Sequence, residues 1–400
     1  MEYTTLKPWQ EISEAGVIYE RGSLYDYFHT LKDPRHAKGK RYHLVSLLMI
    51  IFLGKLAGKD NPVEIADWAR NHGDEIVALL RLKHDWMPSH STIRRVFSEI
   101  LDEEKFDTLV QDYHRERKCD DQVLAMDGKT LRGTRRGDEK RGKHMLSIYA
   151  VKSQCVLAQE EVEDKANEIT VAPQLLKNVG VKGKIVTGDA LHTQRETSQQ
   201  ILAGGGDYLW PVKENHPRMR AEIERLFASQ PSQPGVGQIA TDFQEAKRVS
   251  YGHGRIETRI IQTSTMLNDY IDWPGLQQVY KLERRFSWFR NGEIYKTTIE
   301  TEVGVTSLSR EKAPPARLMD VRRQYWLIET GLHYRRDVTF KEDATRMTIG
   351  SAGRILASMH NLLIGLVKKA GYTNAAKARR YFEGHIQEAF SLLTTAPSLS

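Results

Sequence analysis

Over roughly the first 118 residues the apolar positions recur every three or four residues, and from Gln122 onward they alternate or run together. The first pattern predicts helices. Residues 42–56 read as one apolar helix, entered after the basic segment Arg35-His-Ala-Lys-Gly-Lys-Arg41, and Pro62 opens a second with Ile65, Trp68 and Ala69 at helical spacing. Pro88-Ser-His-Ser91 caps a third over 92–101, in which Ile93, Val96, Phe97 and Ile100 form the buried stripe and Arg94 and Arg95 project outward. Two helices, a turn and a short arginine-bearing helix have the outline of a helix-turn-helix, although any small helical bundle shares it. The expectation is an all-helical domain, 1–118, that docks on DNA through Arg94 and Arg95.

The second pattern predicts strands at 123–126, 145–151 and 156–162. A helix at 169–179, a strand at 184–187, a helix at 194–203, a strand at 207–212 and a helix at 217–228 follow. Three strands followed by alternating helix and strand describe an α/β domain, 119–400, with a mixed sheet flanked by helices. A β-rich insertion at about 235–312 interrupts it, with candidate strands at 238–243, 256–263, 278–288 and 293–304. Asn291-Gly292 is a strong hairpin signal between the last two, because both residues tolerate positive φ. Helices resume at 316–334 and 355–370, with a final helical segment at 375–393.

Composition narrows the class. The 400 residues exceed one ordinary core, and a net charge of +7 with a pI near 9.1 leans toward a polyanionic partner. The basic residues cluster: Lys129, Arg132, Arg135, Arg136, Lys140, Arg141 and Lys143 face only Asp138 and Glu139. That run reads as a solvated loop or, given its place after an Asp-Gly turn, as a phosphate-facing one. Cys119 and Cys155 supply neither a disulfide framework nor a zinc set, which fits a reducing cytosol. The apolar stretch 44–53 is about half the ~20 residues that span a bilayer, and the N-terminus lacks the regions of a signal peptide. A cytoplasmic, nucleoid-associated protein with no membrane role is expected.

Three segments place one acid each where metal-bound phosphate chemistry would need it. In Val123-Leu-Ala-Met-Asp127-Gly-Lys-Thr and Lys184-Ile-Val-Thr-Gly-Asp189-Ala, an apolar strand ends on an aspartate beside a glycine. In Arg322-Arg-Gln-Tyr-Trp-Leu-Ile-Glu329, a glutamate lies in a long helix, with Arg322, Trp326, Glu329, His333 and Arg336 along one face at helical spacing. Hard oxygen ligands of this kind hold two Mg²⁺ or Mn²⁺ ions, which activate a nucleophile and stabilise the leaving oxygen. Taken singly, Asp127-Gly128 and Gly188-Asp189 also read as turns, and residues 322–337 as a surface helix with ordinary glutamate–arginine pairing. Asp337, Glu342 and Asp343 are rival acids. The chain has no nucleotide-binding P-loop, serine elbow or His-Glu-x-x-His zinc pair.

At these residues the chain resembles a bacterial insertion-sequence transposase of the DDE type, and more narrowly the ISAs-type subgroup that includes the H-repeat-associated proteins. The resemblance rests on Asp33-Pro-Arg-His-Ala-Lys-Gly-Lys-Arg41, Met126-Asp-Gly-Lys-Thr-Leu-Arg-Gly133, Asp164-Lys-Ala-Asn-Glu-Ile-Thr170, Val186-Thr-Gly-Asp-Ala-Leu-His-Thr-Gln194, Tyr208-Leu-Trp-Pro-Val-Lys-Glu-Asn215 and Tyr325-Trp-Leu-Ile-Glu-Thr-Gly-Leu-His-Tyr334. It implies a ribonuclease-H-like core with Asp127, Asp189 and Glu329 as metal-binding catalytic acids. It also implies cleavage of element ends and joining of the 3′-hydroxyl to target DNA by two-metal phosphoryl transfer, within a homodimer on double-stranded DNA. Lys129, Arg132 and Arg136 would hold the DNA backbone, as would Arg322, His333 and Arg336. The chain departs from the related Tyr-x-x-Arg-x-x-x-Glu-x-x-x-x-x-x-Lys signature, with Arg322, Tyr325 and Arg336 at its tyrosine, arginine and lysine positions. Two alternatives share these residues: a catalytically inactive DNA-binding remnant of a mobile element, and a metal-dependent nuclease of the same fold.

Overall fold

The computed structural model describes residues 6–115, 121–137, 141–163, 168–228, 242–252 and 254–396. Cys119, the cluster members Asp138, Glu139 and Lys140, residues 164–167 and most of the candidate strand at 238–243 lie outside them. The N-terminal region carries strands β1 (Gln10–Ile12) and β2 (Ile18–Glu20) before helices α1 (Leu24–His29), α2 (Leu44–Leu56), α3 (Pro62–Asn71), α4 (Gly73–Leu80), α5 (His90–Arg95) and α6 (Glu103–Arg115). There follow β3 (Val123–Thr130), β4 (His144–Ala150), β5 (Cys155–Val162), α7 (Glu168–Val179), β6 (Ile185–Gly188), α8 (Arg195–Ala203), β7 (Asp207–Val212) and α9 (Pro217–Ala228). The remainder is β8 (Gln244–Gly252), β9 (Arg255–Ser264), β10 (Gln278–Arg290), β11 (Glu293–Thr306), α10 (Pro315–Ile328), α11 (Ala352–Lys369), α12 (Ala375–Glu383) and α13 (Ile386–Thr394).

Local chemistry explains many of the boundaries. The Asn61 side chain accepts from the amides of Val63 and Glu64 ahead of Pro62, and Ser89 accepts from Thr92 at the start of α5. Asn291 (φ 51°) and Gly292 (φ 84°) both adopt the left-handed backbone that turns β10 into β11. No helix among the described residues is long and apolar enough to cross a membrane.

The chain forms two compact units. Met1–Asp120, Lys129–Glu163 and Glu329–Ser400 make the first; Asp121–Gly128 and Asp164–Ile328 make the second. In the first, α2 is buried on every side and is surrounded by α1, α3, α12 and α13, while α6 and α11 pack on β5. The β1–β2 hairpin, registered Gln10↔Glu20, stands in a region whose sequence predicts helices alone.

The second unit is a mixed sheet flanked by helices, with strand order β3-β6-β7-β11-β10-β9-β8. β3, β6 and β7 run parallel, and the strands from β11 to β8 are antiparallel. The β-rich segment expected as an insertion therefore extends this sheet, joining it where Val303 pairs with Val212. α8 packs on β7, α9 on β10 and β11, and α10 on β6, β7, β8 and β9.

Candidate active site

Two of the three predicted acids stand side by side in the second unit. Val123 to Met126 are buried, so β3 is covered on both faces, as parallel strands are. β3 pairs with β6 up to the register Met126↔Gly188, so Asp127 and Asp189 are the next residues on neighbouring parallel strands; β6 ends there, whereas β3 runs on to Thr130, past the end expected at Met126. Parallel strands lie ~4.8 Å apart, and open sheets bind ligands at this edge. Asp189 caps a short turn, Ala190–His192, by accepting the Leu191 amide at 2.9 Å. The turn is tied down on both sides: Asn215 donates to the Ala190 carbonyl at 2.6 Å, and the Thr193 hydroxyl donates to the Pro211 carbonyl at 2.7 Å.

Arg322 of α10 braces the same strand end. Its Nη1 donates to Thr187 Oγ1 at 3.2 Å and to the Gly188 carbonyl at 3.3 Å. Its Nε and Nη2 donate to the two oxygens of Glu302 at 2.7 and 2.8 Å. Burial alone would raise the Glu302 pKa, but the guanidinium more than reverses this and holds the carboxylate below its usual range. Arg322 is only 4% exposed, so it fixes the backbone beside Asp189, whereas the sequence suggested a contact to DNA.

Glu329 follows the last residue of α10 and opens the first unit's C-terminal segment. It does not continue a regular helix. Glu329–His333 and Arg335–Thr339 are π-helical turns, and each widens the helix past the 3.6-residue repeat. The single face expected from Arg322 to Arg336 is thereby broken. The Glu329 side chain is 48% exposed, His333 is buried, and Arg336 is wholly buried. Gly331 sits within the first turn because the backbone closes on Tyr149, whose hydroxyl would lie 2.7 Å from an added Cβ. His333 Nδ1 stands 3.7 Å from Glu329 Oε2; burial lowers the imidazole pKa, and Glu329 opposes the shift.

The other basic residues divide by exposure. Arg336 donates from Nε and Nη2 to Glu342 at 2.7 to 3.0 Å, and the Glu342 Oε2 lies 2.7 Å from His360 Nδ1. It is an interior ion pair and cannot be the phosphate contact that its spacing suggested. Lys129 is also buried, bonding to Asp337 at 2.6 and 2.7 Å. Arg132 is exposed, and its amide donates to Asp343 at 3.1 Å. Arg136 is exposed and donates to the Thr348 carbonyl. The rival acids Asp337, Glu342 and Asp343 are thus already engaged by basic groups or amides. Arg94 and Arg95 are exposed on α5, with Arg95 2.8 Å from Glu99.

Residues 118–364 match the family described as Transposase DDE domain, and residues 25–114 match that described as DDE_Tnp_1-associated. The chain belongs to the DDE transposase family. The "Uncharacterized protein in dhlA 3'region" of Xanthobacter autotrophicus is 32% identical over 266 residues, covering 65% of this chain and 87% of that protein. The "H repeat-associated putative transposase YhhI" of Escherichia coli K12 is 26% identical over 358 residues, covering 87% of this chain and 91% of that protein. Among solved structures, the piggyBac transposase in a synaptic complex with hairpin DNA aligns at a TM-score of 0.37 with 12% identity. It covers 92% of this chain and 77% of that one, a likeness too loose to bear on the site.

The structure also brings forward residues that the sequence reading did not single out. Glu302, Glu168 and His192 all lie close to the Asp189 turn or its brace. Glu168 and His192 fall inside segments that carry the family resemblance. The signal available in the sequence was a charged residue within an otherwise ordered motif, with nothing to show that it is buried.

Proposed function

We propose that this chain is a transposase that cleaves the ends of its own element and joins the freed 3′-hydroxyl to target DNA, with Asp127, Asp189 and Glu329 as the catalytic acids. The observation that carries the reading is the register that sets Asp127 and Asp189 one residue past the last paired position of adjoining parallel strands. The ribonuclease-H-like placement of the core and a DNA-binding role for the N-terminal helices are parts of the same proposal.

The donor chemistry fits divalent ions. Asp127, Asp189 and Glu329 offer hard carboxylate oxygens suited to Mg²⁺ or Mn²⁺. Two bound ions would supply Lewis-acid stabilisation of the scissile phosphate and its leaving oxygen. The chain's own residues do the rest: Arg322 and Glu302 hold the end of β6 in place, and Asn215 and Thr193 fix the turn behind it. Exposed Arg94, Arg95, Arg132 and Arg136 would neutralise DNA phosphates, in a synaptic homodimer in the nucleoid-bearing cytoplasm.

The test is cleavage of the element's terminal DNA with Mg²⁺. Asp127→Asn, Asp189→Asn and Glu329→Gln should each abolish cleavage while DNA binding persists. Full activity in any of the three removes that residue from the site. Binding without nicking by the wild-type chain would mark an inactive remnant. Hydrolysis without strand joining would mark a nuclease.

A further inference from the structure

Glu168, the first residue of α7, is 1% exposed, and His192, at the end of the turn that Asp189 caps, is also 1% exposed. His192 Nε2 lies 3.1 Å from Glu168 Oε2 and 3.9 Å from Asp189 Oδ1, whereas the Asp189 side chain is 31% exposed. One nitrogen of the imidazole therefore faces a carboxylate sealed in the interior and, farther off, one that opens to solvent. Burying a charge is costly unless it is paired and hydrogen-bonded. Acidic residues in a first helical turn complement the helix dipole, but that effect is available to an exposed side chain and needs no histidine.

We infer that Glu168 and His192 are positioning residues for Asp189. The Glu168 carboxylate lies against His192 Nε2 at 3.1 Å and fixes where the edge of the ring stands. The ring then underlies the Gly188–Asp189 step. A Cβ at Gly188 would lie 3.1 Å from His192 Cδ2 and 3.2 Å from the Met126 carbonyl, so glycine lets the ring and β3 approach together. The backbone that carries the ring is fixed as well, since the Gln194 amide donates to the His192 carbonyl at 2.9 Å. Asp189 is consequently presented from a rigid base, and Glu168 adds a second negative charge behind it. Carboxylates and histidines that orient a metal ligand in this way are typically worth ~10–100-fold in metal affinity.

The inference rests on the reading of Asp189 as an ion ligand, and one experiment separates the two. Mn²⁺ binding to the full chain is followed by the electron paramagnetic resonance signal of the free ion, with thermal unfolding of each variant in parallel. Glu168→Gln and His192→Ala are expected to weaken Mn²⁺ binding ~10–100-fold. His192→Gln, whose amide N–H can still reach Glu168, should recover most of the loss. A purely structural pair would change the melting temperature and leave the Mn²⁺ affinity of the folded variants untouched, which would overturn the inference. Should His192→Ala fail to fold, Glu168→Gln decides alone, since it removes a charge and no volume. Wild-type affinity in both variants, with loss in Asp189→Asn, sinks the positioning role and spares the ligand role. Wild-type affinity in Asp189→Asn sinks both.

Discussion

Two uses of charged side chains can be set against each other, one drawn from each unit. In the first, Arg336, Glu342, His360, Lys55, Asp60 and Arg379 form a closed interior network. Lys55 Nζ donates to the Asp60 carbonyl at 2.7 Å and meets His360 Nε2 at 3.1 Å, and Arg379 Nη2 donates to Asp60 at 2.6 Å. Lys55 and Asp60 come from the N-terminal region and the others from the C-terminal segment, so the network clasps sequence-distant parts of one core. In the second unit the apolar strands are buried up to the residue before each aspartate, and the carboxylates then stand at the surface of a rigid edge. Burial with full pairing indicates architecture. Partial exposure on a braced backbone indicates chemistry.

Glu342 provides the sharpest way to break that comparison. Burial would raise its pKa, but Arg336 and His360 outweigh burial and hold the carboxylate well below its usual range. Removing one partner of a buried pair leaves the other charge uncompensated and costs about 3–5 kcal/mol. Glu342→Leu is therefore expected to lose that much stability in urea denaturation, whereas Asp189→Asn, the variant expected to lose cleavage, should unfold at close to the wild-type midpoint. If the two variants were equally destabilised, the division between architectural and chemical acids would collapse.

Acid offers a smaller effect with a defined window. Burial lowers the pKa of His360 to about 3, with Lys55 adding to the shift and Glu342 opposing it. Burial likewise lowers His114 to about 3. In the unfolded chain these imidazoles take up protons near pH 6.5, so below that pH the unfolded state binds more protons than the folded one. Stability must then fall as the pH drops from about 6.5 toward 3, and Glu342 adds to the loss below its usual carboxylate range. The urea midpoint should decline from pH 6.5 downward, and His360→Asn should reduce the slope. A flat midpoint between pH 6.5 and 5 would show that these imidazoles are not held neutral by the fold.

Much of the second unit was legible in the sequence because its signals are local. The buried run from Val123 to Met126, the strand at 184–187 and the turn at Asn291-Gly292 depend on nearest neighbours and on backbone preferences. The structure also places Ile93, Val96, Phe97 and Ile100 in the core, as their spacing predicts. The π-helical turns at Glu329 and Arg335 were not legible, because no residue pattern in the segment departs from an ordinary helical repeat. A face drawn at 3.6 residues per turn consequently assigned Arg336 to the surface. β1 and β2 span three residues each, too few to show a period. Glu168 and His192 stayed hidden because charge in a sequence reads as exposure, and only packing shows which charges are sealed.

Arg94 tests the exposed end of the comparison, where the effect on stability should be least. It projects from α5 beside the buried Ile93, and Ser98 Oγ donates to its carbonyl at 3.2 Å, a bond that survives truncation of the side chain. Surface substitutions away from caps and packed contacts usually change stability by no more than about 0.5 kcal/mol. If Arg94 neutralises a DNA phosphate, Arg94→Ala should weaken binding about equally for all sequences and reduce the slope of log affinity against log salt by about 1. A loss confined to the element's own ends would instead assign the guanidinium to a base edge. An unchanged affinity and slope would leave α5 as a structural helix and move the DNA-binding surface of the N-terminal region elsewhere.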